Sequence, residues 1–371
     1  MTDRAHLEFA LALHRVLAPN PADNACWSPF SVGSALGLVA RGAWGVTRDE
    51  LLGLLAGDKT ADVADLLATH GAAGRLEPAK DKQDEPVIAV TDTLWADESI
   101  TIRQSFADEL ERMPGGAVRS APFGTSPGKA RSLINEDVAE TTLGLIPELL
   151  PDGVIRADTV AALVNALYLK VAWVHRFAEG GTKPAPFHTP GGAVDVPTMR
   201  LTETVGYAAV GGWQVVELPA VGGVQAVVLL PDGDLAEAEI AVDADTLGTL
   251  LAAPTKVKVD LRLPRLEVRT QAELTGALNA LGVRTMFTRE ADLSGISEDD
   301  RLAVQSVLHE SVLKIDEQGL EGAAATAVMM RLLSVDVTKP VPVHVDRPFL
   351  LLVRHAATGS IYFLSRVADP S

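Results

Sequence analysis

The sequence predicts an α+β fold, on three observations. Helical patterns fill most of the first half, and runs of strand character take over beyond about residue 160. A 47% apolar share over 371 residues is enough for a substantial core. Neither an internal repeat nor a Pro/Gly-rich linker divides the chain, so residues 1–371 are expected to form one domain.

The elements follow in order. Residues 5–17 interrupt their apolar positions with charge at helical spacing, which predicts an amphipathic helix rather than the apolar core of a signal peptide. Ser28 before Pro29 is a cap followed by proline at the first helical position, and the small-residue run after it predicts a deeply packed helix. Thr47 and Glu50 have the spacing of a capping box for the next helix, with Leu51, Leu52, Leu54 and Leu55 on its apolar positions. Residues 87–96 predict a buried strand, and residues 102–113 and 130–140 predict helices. The run DTVAALVNALYLKVAW fits helix or strand by periodicity alone. Strands are predicted through VGYAAVGGWQVVELPA, GVQAVVLLP and residues 256–268. A helix closed by Gly282 is predicted over residues 271–282, and the C-terminal apolar segments predict a hairpin.

Composition narrows the function. The net charge of −17 repels phosphate backbones and anionic lipid, which argues against nucleic acid or a membrane surface as partner. No stretch of about 18 residues is free of charge, so no membrane span is expected, and a cytoplasmic location is, unless a leader was removed. The single cysteine, Cys26, excludes an internal disulfide and a multi-cysteine metal site, and reads as a small buried hydrophobe. His309 precedes Glu310 without the second histidine of a zinc-protease helix. No GxGxxG follows a strand, and no serine sits in a GxSxG context. Neither metal nor cofactor is expected. A hydrolase would need a nucleophile and base that no segment advertises.

Residues 315–349 fit no core element. Ala323, Ala324, Ala325, Thr326 and Ala327 are too small to form an apolar face, and the segment reads either as an ordinary helix or as an exposed functional loop.

Several segments together resemble the serpins, the serine protease inhibitor family, over about residues 5–370. Asn24-Ala-Cys-Trp-Ser28-Pro29-Phe-Ser31 resembles the family's NxxxSPxS. Gly42-Ala43 with Gly45-Val-Thr47 resembles its GAxGxT. Ile134-Asn135 with Thr142, Gly144 and Ile146 resembles INxWVxxxTxGxI, with Asp137 in place of Trp. Val164 to Lys170, with Trp173 and Phe177, resembles VNAxYFKxxWxxxF. Val216 to Pro219 resembles the ELPY element, with Ala220 in place of Tyr. HESVLKIDEQG, from His309 to Gly319, resembles the strand that leads into the reactive loop. Arg347-Pro348-Phe349, Phe363, Arg366, Val367 and Pro370 resemble the C-terminal hairpin. The heavy use of Ala, Gly, Val and Leu, with Arg above Lys, points to a bacterial member.

The resemblance implies helices on a large mixed sheet, two smaller sheets and an exposed reactive-centre loop over about residues 318–340. It implies a suicide inhibitor: a serine protease attacks a bait bond, and the acylated loop inserts into the large sheet and traps the protease as a covalent acyl-enzyme. Small hinge residues are then required, and Gly319, Gly322, Ala323, Ala324, Ala325 and Thr326 satisfy this, with Glu317 at the hinge's start. Leu320 departs from the family's Thr or Ser at the first position to insert, and its bulk would slow entry. Seventeen residues counted inclusively from Glu317 make Leu333 the bait and Ser334 its successor. That points to chymotrypsin-, elastase- or subtilisin-like targets. Arg331 before Leu332 is the alternative and would give a trypsin-like target. Ser28, Ser31, Asn165 and His309 are implied to form the polar network where the sheet opens, and Trp173 and Glu317 the cluster at its top. Glycosaminoglycan activation is disfavoured by the acidic charge. The alternative to inhibition is a non-inhibitory serpin with a binding or chaperone-like role, which Leu320 supports.

Overall fold

The computed structural model describes residues 3–113, 115–320 and 339–371. Helix α1 (Arg4–Leu17) leads to β1 (Ala25–Trp27) and α2 (Pro29–Gly42), followed by α3 (Gly45–Ala56) and α4 (Val63–Ala73). Next come β2 (Val87–Asp97), α5 (Gln104–Leu110), β3 (Gly116–Ala121), α6 (Pro127–Thr141) and β4 (Ala161–Ala172). The second half holds β5 (Lys183–Thr189), β6 (Gly192–Val210), β7 (Trp213–Ala220) and β8 (Val224–Pro231), then α7 (Leu235–Ile240) and α8 (Ala244–Ala252). Strands β9 (Thr255–Pro264) and β10 (Leu266–Glu273) precede α9 (Thr275–Ala280), and β11 (Ser306–Ile315), β12 (Gly319–Leu320), β13 (Val341–His344), β14 (Phe349–His355) and β15 (Ile361–Val367) complete the chain.

This is the α+β fold the sequence predicts. A mixed sheet of six strands runs β10-β11-β12-β4-β2-β3, with β11 also pairing β4 in parallel. A nine-stranded sheet runs β1-β15-β14-β8-β7-β6-β9-β13, with β5 added on β6. The two smaller sheets of the expectation form one hydrogen-bonded path here, because the 19 residues of β6 serve β5 at one end, β9 through the middle and β7 at the other end.

Helix α2 is the centre of the packing. Ser28 Oγ accepts from Ser31 N at 3.0 Å, Pro29 occupies the first turn, and nearly every residue of the helix is buried. Its small side chains let it lie close against β2 and β4. The run that periodicity left open is the strand β4, buried at all but one position and paired along β2.

Four local expectations are corrected. The helix after α2 begins at Gly45, so Thr47 and Glu50 lie inside it and form no capping box. They serve a distant loop instead: Thr47 Oγ1 accepts from Asp292 N, and Glu50 accepts from Arg284 N and Thr285 N. Residues 256–268 are two strands in different sheets, broken between Pro264 and Leu266. The helix expected over 271–282 is confined to Thr275–Ala280, because Gln271 and Ala272 pair with Glu310 and His309 on β11. The helix expected over 102–113 spans only Gln104–Leu110.

Candidate functional site

The site is a fork in the six-stranded sheet. Strands β4 and β11 run in parallel register from Ser306↔Ala162 to Glu310↔Ala166, and their pairing ends there. Beyond it, residues 167–170 keep ladder partners on β2, and residues 311–314 keep theirs on β10. The two strands carry no ladder pair with each other over that stretch. Thr142, Leu145 and Ile146, which follow α6, line the gap between them. Backbone groups at such an edge are a template for another strand.

The top of the gap is already occupied. In β12, Leu320 pairs with Ile315 on one side and Val171 on the other, and Gly319 pairs with Ala172. Leu320 is 1% exposed and joins an apolar cluster with Val171, Ile315 and Trp173. Its bulk, expected to slow entry, therefore sits between the two strands and is accommodated there. Gly319 is demanded by close approach, since a Cβ there would lie 2.0 Å from the Val171 carbonyl oxygen. The loop expected to begin near residue 318 thus has its first residues in the sheet.

At the fork's base, Asp92, Asn165 and His309 stand in one register row across β2, β4 and β11. His309 Nε2 accepts from the Ser28 N–H at 3.1 Å, so Nδ1 carries the proton and donates to Asn165 Oδ1 at 2.7 Å. Ser311 Oγ lies 2.8 Å from Nε2 and donates to it. Asn165 Nδ2 donates to the Ser31 carbonyl at 2.8 Å and to Asp92 Oδ1. Ser28, Ser31, Asn165 and His309 are all sealed from solvent, and the structure brings the four together. Ser31 takes part through its backbone, and its hydroxyl has no partner. Burial pushes His309 down to about 3, so the imidazole is neutral.

Asp92 and Ser311 belong to this network and were missed from sequence. A signal for Asp92 existed: strand alternation puts it on the same face as Leu94 and Ala96, where a carboxyl group is out of place. Its side chain is fully buried, Oδ2 has no hydrogen-bond partner, and burial pushes the carboxyl up to about 7 against hydrogen bonds from Ser34 and Asn165.

A second cluster holds the turn above the gap. Trp173 Nε1 donates to the Asp316 carbonyl at 2.8 Å, Trp173 N to Gln318 O at 2.9 Å, and Phe177 N to Glu317 O at 3.1 Å. Glu317 meets Arg265, the one residue between β9 and β10, and also accepts from the Thr182 hydroxyl. Burial opposes ionisation of Glu317, but the Arg265 and Thr182 hydrogen bonds outweigh it and hold the carboxyl below its ordinary value. Asp137, standing where the resemblance has Trp, is buried and pairs with Arg119 at 2.7 Å.

Gly322, Ala323, Ala324, Ala325, Thr326, Arg331, Leu332, Leu333 and Ser334 lie outside the described residues. Cys26 is fully buried, and burial pushes its thiol up to about 12. Among the described residues no cluster of three or more His, Cys, Asp or Glu could hold a metal ion, and no helix is long and apolar enough to cross a membrane.

Known proteins agree with this architecture. The family profile described as Serpin (serine protease inhibitor) matches residues 4–370. Serpin-Z2A of Oryza sativa subsp. japonica is 31% identical, with 98% of this chain and 96% of that protein aligned. The leukocyte elastase inhibitor of Sus scrofa is 30% identical, over 99% and 98%. In structure the chain is similar to thyroxine-binding globulin in complex with thyroxine, with a TM-score of 0.87 at 24% identity over 100% of this chain and 99% of that one. Uncleaved ovalbumin gives 0.85 at 23%, over 99% of both. These two likenesses speak for the fold alone.

An α+β protein with a six-stranded mixed sheet forked at its centre and a chain segment entering the fork is of the serpin class. The chain belongs to the serpin family. That family is one of protease inhibitors and not of catalysts, so the chain is not an enzyme. The relatives named come from a plant and a mammal, and they lend nothing to the bacterial source read from composition.

Proposed function

We propose that the chain is an irreversible suicide-substrate inhibitor of serine proteases with an apolar primary pocket. It acts as one domain over residues 1–371, with its reactive loop over about 318–340 and its bait bond at Leu333–Ser334. The observation that carries this reading is the fork: the β4–β11 ladder ends at Glu310↔Ala166, and Leu320 already lies between the two strands at the gap's upper end.

The protease's serine attacks the Leu333 carbonyl carbon, the bond to Ser334 breaks, and the new amine leaves with residues 334–371. The acylated segment is then free to follow Leu320 into the gap. Each ladder hydrogen bond it makes contributes roughly 0.5–1.5 kcal/mol net, and an inserted strand makes them on both edges. Insertion drags the acylated protease along the sheet and must outrun deacylation, so the trap is kinetic. The network of Ser28, Ser31, Asn165 and His309 closes the sheet below the gap and has to give way as the strand advances. Trp173 and Glu317 fix the point of entry.

A non-inhibitory binding role is the second reading, and Leu320 in place of the family's Thr or Ser favours it. The test mixes intact protein separately with chymotrypsin, elastase, subtilisin and trypsin. Products go to denaturing gels and intact mass spectrometry. An SDS-stable adduct with a released fragment of residues 334–371 supports trapping at Leu333. A fragment beginning at Leu332 moves the bait to Arg331 and the target to the trypsin-like class. Loop cleavage without adduct across the panel sinks the inhibitory reading.

A further inference from the structure

We propose that Asp92 is a positioning residue of the fork, which acts through Asn165 and makes the hold of β4 on β11 depend on proton concentration. The proposal rests on the reading of the fork as the point of strand entry, and it adds a control on that entry.

The donors of the network run one way. Ser28 N–H and the Ser311 hydroxyl point at His309, His309 Nδ1–H points at Asn165, and Asn165 Nδ2–H points at Asp92. Asp92 is the terminal acceptor of the chain, and Asn165 is the one link between it and β11. The row lies one pair below Glu310↔Ala166, the last pair before the strands separate. Whatever changes at Asp92 is therefore felt at the base of the gap.

No cation answers the carboxyl. Helix α2 offers Ser34, β4 offers Asn165, and the chain just before β3 offers the Gly115 carbonyl, which takes Asp92 N. On the other face of the sheet, Glu310 is paired with Arg269, and Asp137 of α6 with Arg119 of β3. The one other titratable group in the network is His309, kept neutral by burial and by its two hydrogen-bonded nitrogens. A buried carboxylate with one oxygen unpartnered and no counter-charge is costly, and the neutral acid costs far less. With the carboxyl near 7 in the closed sheet, the charge arises as pH climbs from about 6 to about 8.5, and the closed fork alone bears its full cost. When β4 separates from β11 the row is opened to solvent, and the carboxylate is relieved.

The sign follows. Above about pH 6 opening becomes easier as pH rises, with a midpoint near 7 and a plateau beyond. His309 acts with the opposite sign and in a different range: it gains a proton on opening only below about pH 6.5, its ordinary value. At the low end of the window from about pH 6 to about 8.5 the two oppose each other, and above about pH 7 the change comes almost wholly from Asp92.

The test uses the intact chain and no protease. Hydrogen exchange of peptides covering residues 161–172 and 306–315 is followed across that window and corrected for intrinsic exchange chemistry. The wild type is expected to open about threefold more at the upper end: Asp92 alone gives about tenfold between pH 6 and its plateau, and His309, which gains a proton on opening at the lower end, takes back about fourfold. Asp92→Asn keeps the shape and the acceptor toward Asn165 and is expected to lose the rise, leaving the fall of about fourfold that His309 gives across the window. Ser34→Ala removes a hydrogen bond that favours the charged form and is expected to move the midpoint upward. A flat wild-type profile, or an unchanged slope in Asp92→Asn, overturns the proposal. A sloped profile in a chain that forms no protease adduct would leave Asp92's role standing and sink the trapping reading alone.

Discussion

Both carboxylate oxygens of Glu317 accept from Arg265 Nε at 2.8 Å, joining the turn before β12 to the point where the chain passes from one sheet to the other. The pair is lopsided in burial: the Glu317 side chain is 4% exposed and that of Arg265 47%. Removing the arginine strands a buried charge, whereas neutralising the glutamate frees a half-solvated guanidinium.

Arg265→Ala is therefore expected to cost about 2 kcal/mol and Glu317→Gln about 1 kcal/mol, read from urea unfolding midpoints. Because the folded carboxyl lies below its ordinary value, the stabilisation is present above that value and is lost as pH falls through the folded one. Arg265→Ala should lose that acid dependence. Equal costs for the two variants would contradict the asymmetry.

Leu320 lies between β4 and β11 with its side chain sealed. Leu320→Ala leaves the hinge apolar and is expected to cost about 2 kcal/mol, the low end for a buried leucine. Leu320→Arg places a charge where no partner waits, and the inserting strand would have to bury it. Under the proposed function this variant is cleaved in its loop without forming adduct, a conversion that denaturing gels resolve. Undiminished adduct from Leu320→Arg would show that entry does not pass through this seat.

Asn165 satisfies four groups at once, in Ser31, Asp92, His309 and its own amide. Asn165→Ala is expected to cost about 3 kcal/mol, because it leaves buried donors and acceptors unmade. Once Asn165 is gone, His309→Ala should cost much less than it does alone. Additive losses in this double-mutant cycle would mean that the network is a set of independent bonds.

The acid behaviour of the network has two parts that oppose each other. His309, depressed to about 3, makes the folded state lose stability as pH falls below about 6.5, since the unfolded chain then binds a proton that the folded one does not. Asp92, raised to about 7, does the reverse: its contribution is full below the unfolded carboxylate value and is lost as pH rises toward 7. Between about pH 4 and about 6.5 the folded network holds one proton, on Asp92, and the unfolded chain holds one, on His309, so the two slopes offset. Asp92→Asn is expected to become less stable toward acid over that range, and His309→Gln less stable toward neutrality. Urea midpoints at a series of pH values check both, and parallel profiles for the two variants would refute the offset.

The sequence carried the outline of the fold because its strongest signals are local. The Ser28–Pro29 cap and the C-terminal hairpin depend on neighbours in the chain, and both stand in the structure. What stayed hidden depends on distant partners. Thr47 and Glu50 have capping spacing, yet their acceptors serve residues 284–292, which no local pattern reveals. Residues 256–268 alternate with one break of phase at Pro264–Arg265, where the apolar positions pass from 257, 259, 261 and 263 to 266 and 268; which sheet receives each half is set by distant strands. Arg265 as the partner of Glu317, 52 residues away, follows from that change of sheet and from nothing in either segment alone. The four network residues were legible only through the family resemblance, since a lone buried histidine has many ordinary explanations.

The passage from β9 to β10 through a single residue leaves no slack. Strand β10 is also held from the other side, where Cys26 N of β1 donates to Thr270 Oγ1 at 2.9 Å. The β10–β11 half of the six-stranded sheet is thus moored to the nine-stranded sheet at two points. The β4 half is moored as well, just past its end, where Trp173 bridges Ala220 and Val174 N donates to Pro219 O at 3.0 Å. Below that point β4 and β2 rest on the small residues of α2. Both banks of the gap are therefore anchored to one neighbouring sheet at its upper end, and any widening has to work against those anchors.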